Sequence, residues 1–126
     1  MSRKRINFGI SGEQIAIDFL KQNGYCILKT NYKLKVAEID IIAKDKDTVC
    51  FIEVKARSSA DYGLPQEAVS AAKQRKISKA ALFYLKENKS LDKDARFDVV
   101  SIVWASDAPK IELIKNAFDL CVDFSY

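Results

Sequence analysis

VAEIDIIAKDKDTVCFIEVKAR, residues 36–57, decides the fold. It divides into two runs rich in Val, Ile and Phe, Val36–Lys44 and Thr48–Arg57, joined through Asp45-Lys46-Asp47. Runs of β-branched and aromatic residues of this length form strands, and so short a connection closes an antiparallel hairpin. Four charges interrupt the strands: Glu38, Asp40, Glu53 and Lys55. Side chains alternate along a strand, so Glu38 shares a face with Asp40, and Glu53 with Lys55. A two-residue turn centred on Lys46-Asp47 sets Asp40 opposite Glu53 and Glu38 opposite Lys55. One centred on Asp45-Lys46 sets Glu38 opposite Glu53, with Asp40 diagonal to it. Both registers gather the acids and the lysine on one face; a three-residue loop without a compensating bulge separates them.

Two carboxylates about 5 Å apart repel by roughly 3 kcal/mol at an effective dielectric near 20. Positive charge between them removes that cost. Lys55 supplies part of it, and a divalent cation supplies more. Mg²⁺ suits a site of one or two carboxylates, waters and a substrate phosphate. Phosphodiester hydrolysis uses this set: the metal lowers the pKa of water and stabilises charge on phosphoryl oxygens. A neighbouring lysine orients or deprotonates the attacking water, or neutralises the transition state. Acid–lysine pairs are also ordinary on solvent-facing strands, and D-x12-E-x-K alone is a loose pattern.

Outward from the hairpin, the pattern is α-β-β-β-α-β. Ser11 fits an N-cap with Gln14 completing a capping box, and Ile15, Ala16, Phe19 and Leu20 follow at helical spacing. Asn23-Gly24 is a stop, so the first helix is expected over 12–23. Residues 25–32 have strand composition. After a loop over 58–65, a second helix is expected over 66–87, with Ile77, Ala80, Ala81, Tyr84 and Leu85 as its apolar stripe. Arg75, Lys79 and Lys86 fall on a different face. Residues 97–104 read as a strand, Pro109 as a break, and 110–115 as a last strand. Three antiparallel strands and a helical crossover to a fourth, parallel to the third, give a mixed central sheet flanked by helices. Glu13 sits in the first turn of helix one, on the stripe of Ala16, Ile17 and Leu20, which borders the side facing the sheet. Its carboxylate is either a further member of the metal edge or an acid stabilised by the helix macrodipole, the better-supported reading from spacing alone.

The totals fit one compact α/β domain over 1–126: 126 residues, 48% hydrophobic, 30% charged, with four Gly and two Pro. No histidine is present, which removes Ser-His-Asp and Cys-His chemistry and His-ligated zinc. Cys26, Cys50 and Cys121 stand far apart and read as reduced, structural residues. No apolar run reaches bilayer length and residues 1–10 lack the centre of a signal peptide, so the expected location is cytoplasmic with no membrane partner. The net charge of +4 is a mild basic bias. Its clusters are a short arm at Arg3, Lys4 and Arg5, within a flexible stretch 1–8, and Lys73, Arg75, Lys76 and Lys79 at the start of helix two. With Arg57, Ser58 and Ser59 beyond the second hairpin strand, these are candidates to hold phosphates. No RNP-like or helix-turn-helix signature supports base-specific reading.

The chain resembles the YraN-like family, which belongs to the PD-(D/E)xK nuclease superfamily. The resemblance covers Gly9 to about Val103. It rests on G-x-x-G-E-x-x-A from Gly9 to Ala16, N-Y-K at Asn31–Lys33, E-I-D-I-I-A at Glu38–Ala43 and F-I-E-V-K-A-R-S-S at Phe51–Ser59. Y-G-x-P at Tyr62–Pro65, E-A-V at Glu67–Val69, K-Q-R-K at Lys73–Lys76 and R-F-D-V-V at Arg96–Val100 complete it. It implies a restriction-endonuclease-like αβββαβ core and is similar to archaeal Holliday-junction resolvases, in which an acid on helix one joins the Asp and the ExK. Carried over, Glu13, Asp40 and Glu53 are metal ligands for Mg²⁺ or Mn²⁺, Asp40, Glu53 and Lys55 are catalytic, and Glu38 is a supporting residue, with Lys55 or an arginine as its partner. Ala37 and Lys46 stand where the family usually has Gly, and the superfamily's Pro before its Asp is missing. The implied activity is structure-selective endonucleolytic cleavage of branched or irregular DNA, with a homodimer as the simplest way to cut a junction symmetrically. A nuclease fold that binds nucleic acid without cutting is the alternative, because a fold does not fix an activity. A third class, an adaptor whose acidic hairpin binds a basic partner, is opposed by the positive net charge.

Overall fold

The computed structural model describes residues 8–35, 37–58, 69–105 and 108–121. The arm at Arg3–Arg5, the loop from Ser59 through Gly63 and Pro65, the first residues of the expected second helix at 66–68 and the tail beyond Cys121 lie outside the described residues. The elements are α1 (Phe8–Gln22), β1 (Cys26–Lys33), β2 (Glu38–Asp45), β3 (Thr48–Ser58), α2 (Ala71–Glu87), β4 (Ala95–Ala105) and β5 (Ala108–Phe118). The strands form one sheet in the order β1-β2-β3-β4-β5. Only β3 and β4 are parallel, through the α2 crossover; the other neighbours are antiparallel. This is the αβββαβ core expected, and the last strand expected over 110–115 is present as the edge strand β5.

Each helix covers one face of the sheet. Ala16 and Leu20 of α1 pack with Tyr25, Ile41, Ala43, Cys50, Ile52, Val100 and Ile102. Ile77, Ala80, Ala81 and Leu85 of α2, with Tyr84 beside them, pack with Ile42, Phe51, Phe97 and Val99, as their helical spacing requires. Apolar burial on both faces makes β3, the middle strand, the axis of the domain.

Several boundaries differ from the sequence reading. Helix α1 begins at Phe8, so Ser11 lies inside it and does not cap it. Gly12 is buried against the sheet, where a Cβ would meet that of Ala56 at 3.1 Å; the bare backbone lets α1 approach β3 closely. The stop at Asn23-Gly24 stands, with Gly24 at φ +88°. Helix α2 begins at Ala71, because Ser70 is extended and its side chain accepts from the Lys73 amide at 3.2 Å. Pro109 does not precede the last strand but lies within it, opposite Trp104; β5 is an edge strand, where a missing N–H is tolerated. Cys26 is exposed rather than packed as a small hydrophobe, while Cys50 is buried.

At the closed end of the hairpin, a polar cluster fastens together three strands and the residue that leads into β1. Fully buried Asp98 accepts from Arg96 Nε at 3.0 Å and from the Asn116 amide at 2.9 Å. Arg96 Nη2 also reaches Asp45 and the Tyr25 hydroxyl, both at 2.7 Å.

Asp45 pairs with Thr48, so the turn is centred on Lys46-Asp47, the first of the two registers open from sequence. Lys46 has φ +57°, the left-handed region that favours glycine. Lys46→Gly is therefore expected to raise stability by up to about 1 kcal/mol, the relief of a left-handed side chain less the entropy of a freer unfolded chain. Denaturant midpoints measure it; a lower midpoint would mean the turn has another geometry.

Candidate active site

The β2–β3 ladder runs from Asp45↔Thr48 to Ile41↔Ile52 and stops. Beyond it, β3 stays paired with β4 as far as Ser58↔Trp104, while β2 turns away. Asp40 makes the break. Its Oδ2 accepts the Val54 amide at 2.9 Å, taking a donor that a continued ladder would use. Ile39 and Ile41, two apart, pack in opposite layers, so the strand's alternation is interrupted at Asp40 and its carboxyl turns toward β3. A fork opens between the strands, with Asp40 on one prong and Glu53 on the other.

Glu53 is only 5% exposed and points into the α2 layer. Its Oε2 is ion-paired with Lys73 Nζ, from the first turn of α2, and lies 3.7 Å from Lys55 Nζ. A hollow of about 360 Å³ opens here, lined among others by Glu38, Asp40, Glu53, Lys73 and Lys76. Asp40, Glu53 and Lys55 are thus brought together, as the hairpin register implied.

The charges are strongly coupled. Burial, and then the charge of Glu53, push the Asp40 carboxyl up to about 7, against the pull of the Val54 amide; a hydrogen bond to Glu53 favours the protonated form. Burial and the neighbouring Lys73 ammonium lower the pKa of Lys55. Burial also opposes the charge of Lys73, but its hydrogen bond and ion pair with Glu53 outweigh this and hold it above the ordinary lysine value.

The other sequence candidates fall around this centre. Glu13 is half-buried on α1, where its Oε1 accepts from Asn31 Nδ2 at 2.9 Å and lines a separate hollow with Gln14 and Ile17. Among the described residues, no three acids, cysteines or histidines are gathered as a metal-holding group. Glu38 lines the fork, but its partner is Lys33, 3.7 Å away across the β1–β2 pair, rather than Lys55 or an arginine. Arg75, Lys76 and Lys79 are exposed on α2, and Lys76 borders the hollow. Arg57 is half-buried on β3, two and four residues beyond Lys55 and Glu53 in the strand's alternation; the Ser58 side chain lies outside the described residues. Sequence spacing groups Lys73 with these bases, whereas the structure puts its ammonium on Glu53. The available signal was Ser70: as the N-cap it places Lys73 in the first turn, beside the C-terminal half of β3, to which a crossover helix must return.

The donor set fits a hard cation. Asp40 keeps one oxygen free of the Val54 bond, and Glu53 has an oxygen besides the Oε2 whose charge Lys73 and Lys55 neutralise. One Mg²⁺ or Mn²⁺, completed by waters and a phosphate oxygen, would serve the same purpose.

A restriction-endonuclease-like αβ fold with paired acids at a strand fork is the class these observations define. The chain belongs to the uncharacterised protein family UPF0102, whose model matches residues 12–102. It is 48% identical over 120 residues to a UPF0102 protein of Geobacter metallireducens, covering 95% of this chain and 98% of that one. A UPF0102 protein of Desulfosudis oleivorans is 50% identical over 119 residues, 94% and 95% of the two chains. One from Geotalea daltonii is 51% identical over 113 residues, 89% of each. This is the family anticipated above as YraN-like. No helix among the described residues is long and apolar enough to cross a membrane.

Asp40 generates a pH test. Its folded pKa lies above the ordinary value of 3.8, so the stability it contributes to the metal-free protein is complete below about pH 4 and is lost as pH rises through about 7. Asp40→Asn keeps an acceptor for the Val54 amide and cannot ionise. Its melting temperature is expected to equal or exceed wild type above neutrality and to lose the wild-type decline between those values. A variant that melts lower at every pH would contradict the protonated, repelled state of Asp40.

Proposed function

We propose that this protein is a divalent-metal-dependent endonuclease that hydrolyses phosphodiester bonds in DNA of branched or irregular structure. The observation that carries the reading is the meeting of Asp40, Glu53 and Lys55 at the β2–β3 fork, beside a hollow bordered by Lys73 and exposed Lys76. Asp40 and Glu53 would hold Mg²⁺ or Mn²⁺, with Glu38 as a supporting acid at the rim. When bound, the cation supplies Lewis-acid polarisation of the phosphoryl group and acidifies water.

The chain's own residues supply the rest. Lys55, its pKa lowered by burial and by Lys73, orients the attacking water and accepts or shares its proton. In its charged form it stabilises the excess negative charge of the transition state. Arg75, Lys76 and Lys79 on α2, with Arg57 and Ser58 at the end of β3, bind phosphates on either side of the scissile bond. These contacts read backbone shape and no base, which suits selection by structure. Two copies of the chain would present two such sites to a junction.

The ion pair of Glu53 with Lys73 favours a second reading, a binding protein that keeps the fold and has replaced the metal by a lysine. One experiment separates the two. Flap, junction, duplex and single-stranded DNAs and RNAs are incubated with the protein and Mg²⁺, Mn²⁺ or EDTA, beside Asp40→Asn, Glu53→Gln and Lys55→Ala. Metal-dependent cutting is expected, strongest on branched DNA, and each variant should lose at least about 100-fold in rate. Salt-sensitive binding without cutting in either metal would establish the second reading and overturn the first.

A further inference from the structure

We propose that Lys73 is a resident counter-cation that competes with the divalent ion for Glu53, and that a substrate phosphate, by drawing Lys73 away, couples cation binding to substrate binding. The proposal rests on the metal-dependent reading above.

Glu53 is the most enclosed acid of the fork, and both lysines converge on the same oxygen, Oε2. They differ in how they are held. Lys55 projects from the middle of β3, with its side chain 26% exposed. Lys73 stands in the first turn of α2, 40% exposed, and only its backbone is fixed, by the Ser70 cap. Its four-carbon stem lets the ammonium leave Glu53 for the open side of the hollow without moving the helix. Lys76, one turn along α2, borders the same hollow, so an anion entering there meets two ammonium groups.

A divalent cation on Glu53 would face Lys55 and Lys73 at close range. Both ammonium groups ride on flexible stems, but Lys73 is the more exposed, 40% against 26%, so the relief comes from Lys73. Metal entry therefore expels Lys73, and a phosphate that captures Lys73 helps the metal in. Linkage makes the effect reciprocal: the metal must tighten phosphate binding by the factor by which phosphate tightens metal binding. Without nucleic acid, Lys73 holds the site in a neutral, metal-poor state.

Calorimetric titration of the full chain with Mn²⁺ tests this, with and without a junction DNA carrying hydrolysis-resistant phosphorothioate linkages. Without DNA, Lys73→Gln is expected to bind Mn²⁺ about ten-fold more tightly than wild type, since a unit charge a few ångström away is worth more than the roughly 1.4 kcal/mol this requires. Lys73→Arg, which keeps the charge, should stay near wild type, as should Lys86→Gln, a change in the last turn of the same helix outside the ion pair. The DNA should tighten Mn²⁺ binding for both proteins through the shared phosphate, but by several-fold more for wild type than for Lys73→Gln. Lys73→Met, which retains the stem, repeats the comparison should Lys73→Gln melt without cooperativity. A folded Lys73→Gln or Lys73→Met with equal or weaker Mn²⁺ affinity overturns the proposal while leaving the metal site standing. Absence of Mn²⁺ binding in all forms overturns both.

Discussion

The hydrogen bond from the Val54 amide to Asp40 governs the site. An antiparallel pair normally continues while each strand has backbone groups to exchange. Here a side chain takes the donor on β3, and the pairing ends at Ile41↔Ile52. The strand that loses its neighbour on one side keeps β4 on the other as far as Ser58. The sheet can therefore split on one side of β3 without unravelling. The split exposes a buried acid, Glu53, to a second acid and to the hollow under α2.

A fork needs a fixed closed end, and the Arg96 cluster supplies it. One guanidinium joins the hairpin turn through Asp45, the residue that leads into β1, Tyr25, and buried Asp98 of its own strand; Asp98 in turn holds the β5 backbone at Asn116. Removing one partner of such a buried charge pair typically costs about 3–5 kcal/mol, because the other charge is left desolvated. Burial holds the Tyr25 phenol well above its usual range, with the charge of Asp98 adding to it. The two ends of the hairpin thus divide the work: charges are satisfied within the protein at the turn, and at the fork they are left in strained balance.

Much of this was legible because it is local. Val36–Arg57 has the composition of two strands and a connection too short for anything but a hairpin, and the period of two then puts Asp40 near Glu53 in either register. Choosing between registers depends on Lys46 accepting a left-handed backbone, which its side chain does not announce. The core stripe of α2 follows from spacing, whereas its start depends on Ser70 winning over the helical propensity of the residues before it. Contacts set by packing were out of reach. Lys73 meets Glu53 across twenty residues of chain only because α2 lies back over β3, and Glu13 meets Asn31 because of how α1 crosses the edge strand. Asn31 itself has φ +52°, a local twist in β1 with no signal beyond the tolerance of asparagine for that conformation. Long polar side chains choose among several nearby partners, and sequence spacing does not rank them.

If Asp40 and Glu53 jointly hold a divalent ion, crystals grown with Mn²⁺ above neutral pH should show an anomalous-scattering peak between their carboxylates. Such a pH favours the ionised Asp40, and Lys73 should have moved off Glu53. Crystals equilibrated with saturating Mn²⁺ that show no peak at the fork, with Lys73 still paired to Glu53, would contradict the assignment of this site to metal-dependent chemistry.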